Sequence, residues 1–469
     1  MSAELPEPTP YGLPADVRAI PAVHAVVAAA QAAFPGLPAA ALTEHVRAVL
    51  AECRRDAQAG TAVPPLGTIV ERIQRQVQAA AQPALRTVIN ASGVVIQTNL
   101  GRAPLSLAAR AAMDAAGAGY TNLEYDLLAG QRSSRSVHLA GRLARLSGAE
   151  GALVVNNAAA ALLLALSGLA AGRGVLVSRG QAVEIGGGFR IPDVLAQSGC
   201  RLVDVGTTNR TYPSDYAAAI TADTAAILRV HSSNFRLLGF VREPTLPELS
   251  SVARAAGLLL IDDLGSGALL DTSAFGLAAE PTVSQSVAAG ADLVVFSGDK
   301  LLGGPQSGII VGRKLYLDRL ANHPLMRALR VDKMTIAGLA ATLQAYERGT
   351  AAGEIPIWRM ISASVATLRA RASQIALALS DLPEVVESES TVGGGSLPGA
   401  SLPSVALAFA TANPDGLAAR LRQAEPPIVA RINNGRVLLD LRSVLPEQDP
   451  LLLDGLRSLV AAGVLASKT

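Results

Sequence analysis

The sequence predicts an α/β protein: a large domain on a mostly parallel sheet, a small helical domain before it and an α+β domain after it. Three observations predict this. Between about residues 104 and 320, short runs of β type alternate with helical stretches. Those runs are mostly continuous apolar stretches rather than alternations with polar residues, which marks strands covered on both faces. From Pro21 to Ala81, by contrast, apolar side chains recur only at helical spacing.

Within the first region, expected to span 1–85, Val26, Val27, Ala30 and Phe34 lie on one helix. Leu42, Val46, Leu50 and Cys53 lie on a second, and Ile69, Ile73 and Val77 on a third. Gly36-Leu37-Pro38 and Pro64-Pro65-Leu66-Gly67 break the segments. The large domain, 86–334, has strand runs at Ala152–Val155, Val175–Ser178, Leu202–Val205, Ala225–Val230, Leu258–Ile261, Leu293–Phe296 and Gly308–Val311. Helical stretches between them imply crossover connections and a parallel sheet. A long helical stretch, Thr335–Tyr346, leads into the third region, 335–469. Its strand runs are Val405–Phe409, Ile428–Ile432 and Val437–Leu441, with helices at Val365–Leu379 and Leu417–Gln423.

The 469 residues suit two or three domains, and 50% of them are hydrophobic, enough for a large core. A net charge of +2 exerts no global pull toward nucleic acid, so an RNA partner would be held by local patches, and neither DNA nor a membrane is called for. The two cysteines, Cys53 and Cys200, have no Cys or His neighbours at metal-ligand spacing, so neither a disulfide framework nor a zinc site is expected. The start, Met1-Ser2-Ala3-Glu4-Leu5-Pro6, lacks the basic flank and apolar stretch of a signal peptide. The longest apolar run, Ala158–Ala171, is too short to span a bilayer and reads as a buried helix. A cytosolic protein is expected.

In a parallel sheet, sites form beyond the C-terminal strand ends. After Ala152–Val155 come Asn156, Asn157, Ala158 and Ala159. Small residues opening a helix let backbone N–H groups approach a phosphate, or simply pack helix on sheet. After Leu258–Ile261 come Asp262 and Asp263. Strand alternation points only one of them toward a site. Asp263, directly before the Leu-Gly-Ser turn, is the candidate for holding a protonated pyridine nitrogen, with Asp262 structural. After Leu293–Phe296 comes Ser297-Gly298-Asp299-Lys300. A lysine in an apolar, glycine-rich turn rarely stays buried without a task. Desolvation lowers its pKa and makes the amine nucleophilic. Ser297 lies where a hydroxyl meets a cofactor phosphate. A strand-end acid followed, one strand later, by Ser-x-x-Lys is the arrangement of fold-type I pyridoxal phosphate (PLP) enzymes, with Lys300 carrying PLP as a Schiff base.

Longer segments carry a resemblance. Val88–Ala103, Ser178–Asp193, Val205–Thr211, Val230–Arg236, Ser297–Gln306, Gly393–Pro398 and Leu438–Arg442 are similar to those of bacterial L-seryl-tRNA(Sec) selenium transferases, the selenocysteine synthases, over nearly the whole chain. The resemblance implies an aspartate aminotransferase-like fold. It also implies conversion of seryl-tRNA(Sec) to selenocysteinyl-tRNA(Sec) through a dehydrated aminoacrylyl-tRNA, with selenophosphate as donor. Lys300 is then also the base for the serine α-proton.

The resemblance further assigns the phosphate-like donor to arginines, here Arg102, Arg327 and Arg330. Arg327 and Arg330 share one face if their segment is helical; without the family pattern they read as a solvated basic helix face. Arg179 follows a strand and either covers the cofactor ring or belongs to a structural turn, and Asn234 lies on the site edge just past Ala225–Val230. His231 reads as a packed or hydrogen-bonded residue. The resemblance gives tRNA binding to the N-terminal helices, although that region has no basic excess; Arg47 with Arg54, and Arg72 with Arg75, align on helix faces. It implies a homo-oligomer, at least a dimer and on the family pattern a ring of five dimers. A PLP-dependent ammonia-lyase of amino-sugar acids, acting without tRNA, is the alternative.

Overall fold

The computed structural model describes residues 15–81 and 83–465. The first fourteen residues of the expected N-terminal domain lie outside them. The chain divides into two compact units, Met1–Thr87 and Val88–Thr469.

The first unit is a small helical bundle of α1 (Val23–Gln31), α2 (Ala39–Gln58) and α3 (Leu66–Ala81). Val26, Ala30, Leu42, Val46, Leu50, Ile69 and Ile73 close its core, as the helical spacing predicts. Arg47, Arg54 and Arg75 are exposed, while Arg72 lies 3.7 Å from Asp56.

In the second unit a short strand, β1 (Val94–Ile96), precedes helix α4 (Leu107–Ala118). The central sheet then uses β2 (Gly151–Val155), β3 (Gly174–Ser178), β4 (Arg201–Val205), β5 (Thr224–Val230), β6 (Leu259–Gly265), β7 (Leu293–Ser297) and β8 (Gly308–Gly312). Their spatial order is β2-β8-β7-β6-β5-β3-β4. All neighbours run parallel except β8, which is antiparallel to β7 and β2. Successive residues feed two cores. Val175, Val177, Ile261 and Val295 enter one, packed with helix α5 (Ala158–Leu169). Leu176, Leu260, Val294 and Phe296 enter the other. Burial on both faces is why these strands read as unbroken apolar runs.

Beyond the sheet follow α6 (Leu325–Leu329), α7 (Lys333–Glu347) and α8 (Val365–Ala378). A second sheet then forms from β9 (Glu384–Gly393), β10 (Ser401–Ala410), β11 (Arg431–Asn433) and β12 (Arg436–Asp440), in the order β11-β12-β10-β9-β1.

Four features differ from the sequence expectation. Strand β6 runs on to Gly265, so Asp262 and Asp263 lie within the strand rather than after it. Asp262 is tolerated there because it is paired with Arg229, and Asp263 because it borders a cavity. The run Ile428–Ile432 is not one strand: Ile428–Val429 pairs with Ile89–Asn90, and β11 pairs with β12. Strand β9 escaped notice because polar residues interrupt its apolar pattern and one face stays open. Finally, Val94–Ile96 joins the C-terminal sheet beside β9, although it lies in the segment expected in the large domain.

Candidate active site

Seven segments converge at the C-terminal ends of the parallel strands around a cavity of about 620 Å³. On β6, alternation separates the two acids. Asp262 is fully buried and accepts from Arg229 Nη1 at 2.8 Å. Asp263 faces the cavity, and no hydrogen-bond donor reaches its carboxylate among the described residues. Burial pushes its carboxyl up to about 7, reinforced by Asp262 and opposed by Lys300.

At the end of β7, Lys300 is 8% exposed. Burial holds its amine below the ordinary lysine value, while the charges of Asp263 and Asp299 oppose the shift. The turn after Lys300 is braced from a distance. Tyr346 Oη donates toward the carbonyls of Leu301 and Leu302, at 3.2 and 2.9 Å, and accepts from Trp358 Nε1 at 2.8 Å. Ser297 Oγ donates to Asp299 Oδ1 at 3.0 Å, and Arg102 Nη1 donates to Asp299 Oδ2 at 2.8 Å. Arg102 adopts φ 64°, the left-handed region that non-glycine residues rarely occupy.

Helix α5 opens at the cavity. Asn157 caps it by accepting from the Ala160 N–H at 2.9 Å, and Asn157, Ala158 and Ala159 line the wall. The free N–H groups of the first helical turn suit a phosphate. From the C-terminal sheet, Gly395 closes over the lysine: a Cβ there would stand 2.7 Å from Lys300 Nζ.

The structure therefore brings together Lys300, Asp263, Ser297, Arg102, Asn157, Ala158 and Ala159. It does not bring the other four expected residues to the wall. Arg179 is exposed on a short 3₁₀ turn. Asn234 is exposed and works indirectly, donating from Nδ2 to the carbonyls of Glu184 and Ile185 at 3.0 Å each. That holds the hairpin whose Ile185, Gly186 and Phe189 do line the cavity. Arg327 is exposed on α6, whereas Arg330 is extended beyond the helix end and lies 3.6 Å from Glu124. The shared helical face expected for the two arginines does not form, because the helix stops at Leu329.

Sequence reasoning missed Asp299, Gly395 and the Tyr346–Trp358 brace. Asp299 stands inside the Ser-x-x-Lys motif and was legible as a second buried acid. The others come from distant segments and carry no local signal.

These residues fit PLP. Lys300 meets an aldehyde, the unsatisfied carboxyl of Asp263 meets a ring nitrogen, and the α5 N-terminus meets a phosphate, with Ser297 beside it if its hydroxyl turns from Asp299.

The family model described as SelA: L-seryl-tRNA selenium transferase matches residues 88–445. A protein of Geobacter sulfurreducens named L-seryl-tRNA(Sec) selenium transferase is 48% identical over 428 residues, covering 89% of this chain and 93% of that protein. One of the same name from Moorella thermoacetica is 51% identical over 398 residues, covering 82% and 84%. Among solved structures, D-glucosaminate-6-phosphate ammonia-lyase superposes with a TM-score of 0.58 at 23% identity, covering 83% of this chain and 98% of that one. That likeness is one of fold, the fold-type I, aspartate aminotransferase-like architecture. The chain belongs to the L-seryl-tRNA selenium transferase family.

Proposed function

We propose that this chain converts the serine of seryl-tRNA(Sec) to selenocysteine, with PLP carried on Lys300 and selenophosphate as selenium donor. The observation that carries the reading is the pairing of a buried amine with a donor-less buried carboxyl across one cavity, in a chain whose relatives of that name match it nearly end to end.

When bound, PLP supplies an electron sink for the pair left at the serine α-carbon. The residues do the rest. Asp263 keeps the ring nitrogen protonated. Burial lowers the pKa of Lys300, which suits the freed amine to take the α-proton. The N–H groups of Ala158 and Ala159 hold the phosphate, joined by Ser297 when its hydroxyl turns from Asp299. Arg102, oriented by Asp299, binds the anionic donor. Arg327, Arg330 and Arg179 remain candidates for contacts outside the wall, with donor or RNA phosphate.

The tRNA is proposed to engage the N-terminal helices, supported by exposed Arg47 and Arg54 on one helix. A homo-oligomer is proposed on the exposed apolar side chains Tyr120, Leu127 and Leu128, which a folded monomer has little reason to present. Charged tRNA is a cytosolic substrate, so the reaction belongs in the cytosol. Among the described residues no helix is long and apolar enough to cross a membrane.

A conversion assay tests the reading. Purified protein with PLP, seryl-tRNA(Sec) and selenophosphate should yield selenocysteine on the tRNA, read by mass spectrometry of the released amino acid. Unchanged serine, together with turnover of a free amino-sugar acid, would favour the ammonia-lyase alternative.

A further inference from the structure

His231 forms part of the walls of two cavities. One is the 620 Å³ cavity around Lys300; the other is a more open one of about 430 Å³, which also touches Glu280. Its backbone is pinned at the end of β5, where its N–H donates to the Asp263 carbonyl at 2.9 Å. Its ring Nε2 lies 3.1 Å from Glu280 Oε1. Glu280 is 4% exposed, and its own N–H donates to Thr272 Oγ1 at 2.8 Å. A carboxylate this deeply buried is costly unless a donor satisfies it. Among the described residues the imidazole is its one side-chain donor. With Nε2 committed to Glu280, Nδ1 has no partner among those residues. A carboxylate that orients one ring nitrogen while the other handles a proton is how acid–base imidazoles are commonly built.

Four ionisable side chains line the cavity: Arg102, His231, Asp263 and Lys300. A guanidinium serves as a hydrogen-bond donor and not as an acid. Asp263 and Lys300 are engaged by the cofactor and the α-proton. The dehydration of serine still needs an acid, because hydroxide is a poor leaving group.

We propose that His231, oriented by Glu280, is the catalytic acid that protonates the departing serine hydroxyl. The proposal rests on the seryl-tRNA reading. The α-proton passes to Lys300 and its electron pair forms the Cα=Cβ bond. The Cβ–O bond breaks with its pair on oxygen, and the Nδ1 proton of the imidazolium completes a molecule of water. Water in the second cavity reprotonates the ring, and Lys300 releases its extra proton to solvent before the next turnover.

The test uses holoenzyme and two charged tRNAs, one carrying serine and one carrying β-chloroalanine, whose chloride leaves without a proton. His231→Asn keeps a donor for Glu280 but removes the acid. It should slow water release about 100-fold or more while chloride release stays within about 3-fold of the parent protein. Glu280→Ala should show the same selectivity in weaker form. Equal losses on both substrates, or no loss on either, would overturn the proposal by making the pair purely structural. Parent protein inert toward both tRNAs would overturn the substrate reading, and this proposal with it. A readout without turnover is ¹⁵N-histidine NMR of the cofactor-free protein, with His231→Asn assigning the signal. The proposal expects a protonated Nε2 that Glu280→Ala disturbs; an unaltered signal would contradict it.

Discussion

Arg102 and Asp299, 197 positions apart in sequence, form an ion pair of 2.8 Å at the wall of the cavity. The same carboxylate accepts from Ser297 at 3.0 Å, so one buried acid sets both the expected donor-binding arginine and the expected phosphate-binding serine. A charge-assisted bond of this kind contributes about 1.5–3 kcal/mol. Asp299→Asn should therefore raise the KM for selenophosphate by about 10- to 100-fold, while the absorbance of the bound cofactor persists. Steady-state kinetics at varied donor concentration measures this, and an unchanged KM would show that the pair does not orient Arg102 for the donor.

The backbone of Arg102, at φ 64°, is held where a side chain is unfavourable. Glycine fits this conformation and alanine does not. Arg102→Ala should therefore be less stable than Arg102→Gly by about 1 kcal/mol, although both lose the guanidinium. Urea unfolding of the two variants decides it; equal stability would mean that the strain is absent.

Gly395 meets Lys300 more closely than any side chain would allow. A methyl group at Gly395 would stand 2.7 Å from Nζ and 3.3 Å from Cε, and the residue has φ +76°. The flexible lysine tip would move aside, and that tip is the group that must reach the cofactor. Gly395→Ala should fold yet bind PLP about 10-fold more weakly, consistent with an overpacking cost of 1–3 kcal/mol. An absorbance titration with PLP reads it, and full affinity would remove Gly395 from the site.

How much of this was legible depended on distance along the chain. Lys300, Ser297 and Asp263 announced themselves because each ends or lies in a continuously apolar run, where a charged or polar residue needs a reason. Strand alternation let only one of Asp262 and Asp263 face the site, and the Leu-Gly-Ser turn directly after Asp263 chose it; the Arg229–Asp262 pair on the other face is its structural counterpart. The strand ends themselves were less legible. Asp262 looked like a terminator, yet it stays in β6, where the half-buried Arg229 pairs with its Oδ1. Arg327 and Arg330 look like a helical pair by spacing, but the helix is five residues long and ends between them. Gly395, Tyr346 and Trp358 act on the Lys300 turn from segments far along the chain, and no local pattern marks that role.

The raised carboxyl of Asp263 has a consequence for stability. Between the ordinary carboxylate range and about 7, the folded protein holds a proton that the unfolded chain has released. Stability of the cofactor-free protein should then fall as pH rises through that window. Lys300 acts in the opposite sense. Its lowered folded value means the folded chain releases a proton that the unfolded chain keeps, so its contribution rises with pH. Asp263→Asn should remove the decline, as read from urea midpoints at about pH 5 and about pH 7.5. A parent protein with no decline over that interval would mean Asp263 is already ionised when empty.

The chain contains four lysines, Lys300, Lys314, Lys333 and Lys468, and Lys300 alone is buried among the described residues. Borohydride reduction of the PLP-loaded protein, followed by peptide mass spectrometry, fixes the cofactor on whichever lysine carries it. The account predicts a pyridoxyl group on the peptide containing Lys300, lost in Lys300→Ala together with the absorbance of the bound cofactor. Label on Lys314, Lys333 or Lys468 instead, or no lysine label in a protein that binds PLP, would contradict it.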